Sequence, residues 1–118
     1  MAKKATIVVT KPPYGSAIMA EAFRAAMGIP STNIETNVVL EGDGVYALLK
    51  SAKPKEGLDF GHMGEAFMMY DEYGFTLYVH KASVEARGMK CEDLLHCEPI
   101  DDAGLEAMLR DSDAILRF

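Results

Sequence analysis

Few side chains of this 118-residue chain can move protons or carry sulfur near neutral pH: His62, His80, His96, Cys91 and Cys97. The three histidines lie far apart in sequence and lack the paired spacing of a zinc site, so no metal is expected. Imidazole titrates close to neutrality, which suits His80 to proton handling. A ring at a strand end equally well bonds a neighbouring carbonyl, and both readings stay open. Cys91 opens a short helical stretch whose amino end lowers a thiol pKa, but Glu92 and Asp93 disfavour the thiolate, leaving an ordinary thiol. Cys97 leads into a strand and reads as a small buried apolar residue. The two could form one bridge, yet a lone pair in a chain without a signal peptide reads as reduced thiols.

The absent signatures narrow the chemistry further. No Gly-x-Gly-x-x-Gly follows the first apolar run, no phosphate loop ends in Gly-Lys-Ser/Thr, and there is no Cys-x-x-Cys. Dinucleotide and triphosphate enzymes recede, and no cofactor is expected. Polar and glycine residues gather instead at three places: Lys11, Tyr14, Gly15 and Ser16; Asp43 and Gly44; His80 and Ser83. If each group ends a parallel strand, the three converge on the edge where open α/β sheets place ligands. Lys11 and the free N–H groups of a helix start would then hold a small anionic or nucleotide-like ligand. On spacing alone the same residues serve as turn and cap chemistry.

The elements that must position these groups are legible in chain order. Ile7, Val8 and Val9 form a continuous apolar run that suits a strand buried on both faces. Two prolines stop it, Gly15 turns the chain, and Ser16 is placed to cap a helix carrying Met19, Phe23 and Met27 at four-residue spacing, closed by Gly28 with Pro30 beyond. Residues 36–40 read as a second strand, expected to lie parallel to the first, and Asp43 as the cap of a helix with Val45, Leu48 and Leu49 on one face. Residues 51–64 lose all periodicity, and their embedded Leu58 and Phe60 suit packing against a partner. Met63, Ala66, Phe67 and Tyr70 predict a helix ended by Gly74, with the methionines as core filler.

A third strand covers 75–80 and ends on His80. Short helices follow at 83–87 and 91–95, then a brief strand at 97–100 whose Pro99 directs it to an edge. A last helix begins at Asp101 and Asp102, with Leu105, Met108 and Leu109 inward. Residues 114–118 end the chain as a strand whose Ile115, Leu116 and Phe118 are expected to be buried. Alternating strands and helices imply a single α/β domain over 1–118, a three-layer α/β/α sandwich around a mostly parallel five-stranded sheet, wound like flavodoxin. The composition is globular, 49% apolar and 25% charged, and the net charge of -6 argues against binding DNA. With neither a membrane-length apolar stretch nor a leader, the expected location is the cytoplasm, with no membrane partner.

Four stretches together resemble a known family: Thr10-Lys-Pro-Pro-Tyr-Gly-Ser16, Gly42-Asp-Gly-Val-Tyr-Ala-Leu-Leu49 with Lys53-Pro54 after it, Ala82-Ser-Val-Glu-Ala-Arg-Gly88, and Asp113-Ala-Ile-Leu-Arg-Phe118. They resemble the DsrE/DsrF-like sulfur-relay proteins, most nearly the TusC/DsrF type of subunit. The resemblance implies a compact α/β/α domain that assembles as a homo-oligomer (dimer, trimer or hexamer) or with sister DsrE/DsrH-like subunits, and that passes sulfur as a cysteine persulfide. Such relays serve 2-thiouridine formation in transfer RNA or dissimilatory sulfur metabolism. In members that carry sulfur, the acceptor cysteine ends the third strand, eight residues before the glycine of the Arg-Gly pair. Counting back from Gly88 gives His80. An imidazole cannot accept sulfane sulfur, so the resemblance implies a structural or docking subunit. The alternatives are a stand-alone homo-oligomer holding an anionic ligand at the three loops, and a sulfurtransferase that uses Cys91.

Overall fold

The computed structural model of the chain describes residues 3–12, 17–49 and 66–118. The fold is built on β1 (Lys4–Val9), whose Ala5, Ile7, Val8 and Val9 are buried, as a strand covered on both faces requires. β2 (Glu35–Leu40) pairs with it in parallel, Ile7 opposite Val38 and Val9 opposite Leu40. β3 (Phe75–His80) adds in parallel to β2, and β4 (Pro99–Ile100) adds to β3 with His80 opposite Ile100. β5 (Ala114–Arg117) returns to the far side of β1, giving the order β4-β3-β2-β1-β5 with every pairing parallel. This is the α/β fold with a five-stranded sheet that the alternation of elements implies.

The helices follow from the same sequence signals. α1 (Ile18–Gly28) buries Met19, Ala22 and Ala26 against the sheet, and Pro30 opens a single 3-10 turn beyond it. α2 (Tyr70–Tyr73) ends at Gly74, whose φ of 85° is the left-handed cap that glycine adopts without steric cost. α3 (Lys81–Ala86) begins on the residue after His80, and α4 (Asp102–Asp111) joins β4 to β5. Phe67 is fully buried and meets Phe23 and Phe75 edge to face at 5.2 and 6.4 Å, a packing that aromatic quadrupoles favour. No helix among the described residues is long and apolar enough to cross a membrane. Tyr14, Gly15 and Ser16, the Leu58 and Phe60 loop, and Met63 lie outside the described residues.

Three local expectations are corrected. Residues Gly42–Leu48 form a 3-10 helix rather than an α-helix, and its cap is Glu41. Asp43 does not cap it, because its carboxylate is drawn to Arg87 instead. The carboxyl-terminal strand is not buried: Ile115 and Leu116 are 49% and 36% exposed, because β5 is an edge strand. Backbone bonds hold that strand. Phe118 N–H donates to Val8 O, and Thr10 N–H donates to Phe118 O, each at 2.8 Å. At its other end Lys4 Nζ lies 2.6 Å from the Asp111 carboxylate, and that hydrogen bond raises the lysine pKa. Finally, Cys91 and Cys97 are joined as a disulfide, not reduced, and Cys97 is only partly buried. The chain between them folds back, bringing the Cα atoms to 5.4 Å, a separation that a disulfide spans.

Gly44 seats the β2 loop on β1. A Cβ there would stand 2.2 Å from the Val9 carbonyl oxygen, a backbone atom that cannot move aside. Gly28, at the end of α1, has nothing within 4 Å of the same position. Gly44→Ala should therefore destabilise the fold by about 2 kcal/mol or more. Gly28→Ala should be neutral or stabilise by up to about 1 kcal/mol. Urea melts of the two variants check this, and equal midpoints would contradict the close approach.

Candidate functional site

All five strands of a parallel sheet end on one edge, and the connections there must satisfy the last carbonyls and N–H groups. β3 ends on His80, which is 7% exposed, and α3 starts at once, so Ser83 returns to the ring one turn later. Ser83 Oγ lies 2.7 Å from His80 Nδ1 and accepts the Gly42 N–H at 2.8 Å. The other ring nitrogen, Nε2, lies 2.6 Å from Asp102 Oδ1 at the head of α4. The parallel register sets this contact: His80 lies opposite Ile100, so the residues just past β4 reach the end of β3.

The donor directions follow from the chemistry of the groups. Carboxylates only accept, so with a neutral ring Nε2 carries the proton and donates to Asp102. Nδ1 then accepts from the Ser83 hydroxyl, which in turn accepts from Gly42 N–H. A single chain of bonds therefore runs from the loop after β2, through α3 and β3, to the turn after β4. Ser83, His80 and Asp102 are the residue types of a nucleophilic relay. Here Ser83 is buried and its oxygen is held by Gly42, so the hydroxyl is not presented to a substrate.

A second clamp lies beside the first. Arg87 donates through Nε and a terminal nitrogen to Asp43 Oδ1 at 3.2 and 3.0 Å, and through its other terminal nitrogen to the Ser83 carbonyl at 3.1 Å. The guanidinium fork is thereby committed to the protein, with Asp43 half-exposed on its outer side. Gly44 is buried under this loop against Val9. Lys11 is exposed beyond the end of β1. Thus the structure joins Asp43, Gly44, His80 and Ser83 in one cluster and leaves Lys11 at its margin.

Three members of the cluster are not among the residues that spacing singles out: Gly42, Arg87 and Asp102. Arg87 stands in the recognisable Ala-Arg-Gly stretch, which could have drawn notice to it. Asp102 carries no local signal beyond that of a helix start, since it lies 22 positions after His80 and beyond β4.

Residues 3–118 match the model of the DsrE/DsrF-like family. The chain belongs to that family. It is 38% identical over 86 residues to a protein described as a TusC homolog from Vibrio vulnificus, covering 70% of each chain. It is 26% identical over 132 residues to the intracellular sulfur oxidation protein DsrF of Allochromatium vinosum, covering 98% of this chain and 96% of that one. Within the DsrE/DsrF-like proteins it is thus of the TusC/DsrF type. The solved structure of the YchN protein from E. coli superposes with a TM-score of 0.78 at 25% identity, over 98% of this chain and 99% of that one.

In this DsrE/DsrF-like chain the His80 bridge should be held mainly from its buried side. Ser83→Ala removes both the acceptor for Gly42 N–H and the donor to Nδ1, and should cost about 2 kcal/mol or more. Asp102, with a side chain 83% exposed, should cost under about 1 kcal/mol when changed to Asn. Denaturation midpoints test the ranking. Nitrogen NMR of the ring should find the proton on Nε2, and a proton on Nδ1 in the neutral ring would refute these bond directions.

Proposed function

We propose that this chain is a subunit of a sulfur-relay complex in which it serves as a structural or docking component, His80 standing where sulfur-carrying relatives have an acceptor thiol. The observation that carries the reading is the state of His80. It ends β3, is buried, and has both ring nitrogens bonded within the protein. Such a ring ties three connections together and has no sulfur with which to accept sulfane sulfur. The named relatives support the pathway class, one being a TusC homolog and another a sulfur oxidation protein.

Assembly is supported by the exposed edge. Among the described residues β5 is an edge strand of the sheet, with Ile115, Leu116, Ala114 and Arg117 exposed. Unpaired edges with apolar side chains are where chains add to one another. The partners in this reading are further copies of the chain or sister DsrE/DsrH-like subunits. An anion-binding homo-oligomer has less support among the described residues, since Arg87 is already committed to Asp43 and Ser83.

Two measurements test the proposal. Sedimentation at micromolar concentration, alone and with sister subunits, should show a species larger than the 12.9 kDa chain. A monomer under both conditions would sink the docking role. Separately, His80→Cys in a background with Cys91→Ser and Cys97→Ser leaves one thiol, at the end of β3. After incubation with a cysteine desulfurase, its carrier and cysteine, this variant should gain the mass of one sulfur atom. A folded variant that gains none would show that position 80 is not the carrier position.

A further inference from the structure

α3 separates two different environments. Ser83 and Arg87 face the clamp around Asp43. Lys81, Val84 and Glu85, at the complementary helical spacing, line a cavity of about 250 Å³ on the other side. Val79 and Met89 complete its apolar floor, and the Cys91–Cys97 disulfide lies in its wall. This cavity shares no lining residue with the His80 cluster.

The loop that carries the two cysteines is anchored without their bond. Leu94 is buried, and Leu95 N–H donates to Leu48 O at 2.8 Å. His96 Nε2 lies 2.9 Å from Leu77 O, and its ring lies against Tyr70. Val79 N–H donates to Glu98 O, and the Asp93 carboxylate accepts the Lys90 N–H. Opening the disulfide therefore leaves both sulfurs held near one another. The cross-link also closes only a short loop, the case in which loop closure stabilises a fold least.

The two sulfurs differ in access. Cys91 is exposed and Cys97 is partly covered, the asymmetry of an attacking and a resolving thiol. Lys81 and Lys90 line the cavity with Glu85, while Glu92, Asp93 and Glu98 adjoin the cysteines in the chain. Of these acids, Asp93 is occupied by Lys90 N–H, so its charge is partly spent on the backbone. At about 250 Å³ the cavity is below the size usual for drug-like ligands and fits a side-chain-sized sulfur carrier.

We propose that Cys91 and Cys97 are a redox-active pair which, as a dithiol, takes the outer sulfur of a thiol persulfide and releases it as sulfide, closing into the disulfide present in this structure. The Cys91 thiolate attacks the outer sulfur of R–S–SH, forming Cys91–S–SH and expelling R–S⁻, which takes up a proton. The Cys97 thiolate then attacks Cys91 Sγ and expels HS⁻. The sulfane sulfur is reduced by two electrons and the cysteine pair is oxidised by two, giving R–SH, H₂S and the disulfide. An external dithiol reductant, small or protein-borne, returns the pair to the starting state. The choice of sulfane sulfur rests on the relay reading above, whereas the exchange-competent dithiol does not.

The test uses the full chain, reduced and freed of reductant, and offers persulfide in two forms: glutathione persulfide, and a desulfurase loaded with protein-borne persulfide. At least one source should yield sulfide stoichiometric with the chain, loss of both free thiols, and a product lighter than the dithiol by two hydrogens. The source that works identifies the donor as small or protein-borne. Cys97→Ser should keep one added sulfur on Cys91 and release no sulfide, and Cys91→Ser should do neither. No sulfide from the reduced wild-type chain with both sources would overturn the proposal, whatever the variants' folding. So would undiminished sulfide release by Cys91→Ser. The single-thiol variant at position 80 lacks both cysteines, so its failure and this one are told apart.

Discussion

The imidazole of His80 is the tie on which the carboxyl edge of the sheet depends. A parallel sheet brings every strand end to one edge but supplies no bond between successive connections. Through Ser83 and Asp102, the His80 ring links the loops after β2, β3 and β4. Being buried, it must have both nitrogens satisfied, and the tautomer follows from the carboxylate on one side.

α3 extends that logic to a second chemistry. Its six residues are too short to form an independent helix, so its stability comes from the elements that it separates. Ser83 and Arg87 turn toward the β2 loop, where the Arg87–Asp43 clamp closes over Gly42 and Gly44. Lys81 and Glu85 turn toward the cysteine pair. A polar, fully bonded cluster and an apolar cavity with a sulfur pair thus lie within two turns of helix, and neither uses the other's residues.

The two edges of the sheet contrast in how they are finished. β4 is two residues long, contains Pro99, and is tethered by the anchored loop before it, which blunts that edge. At the other edge, β5 leaves its apolar Ile115 and Leu116 exposed. Its contact with β1 is a ladder of backbone bonds, so its attachment does not require those side chains to be buried.

Much of the architecture was legible in the residues alone. The apolar runs at Ile7 and Val38, the alternation ending on His80, and the four-residue spacing of Met19 and Phe23 are local patterns whose period dictates strand or helix, and they appear in the structure where expected. Family membership was carried in the same way, by short stretches in a fixed order. The site was only partly legible: Asp43, His80 and Ser83 could be named, but not that Asp43 would serve Arg87 or that Asp102 would hold the ring. Nor could the exposure of β5, the 3-10 form of Gly42–Leu48, or the joining of Cys91 to Cys97 be read in advance. The exposure of β5 and the contacts of Asp43 with Arg87 and of His80 with Asp102 depend on register and strand order, which bring together residues far apart in the chain. Parallel pairing leaves no turn between partners to record its register, so only the folded sheet decides which residues meet.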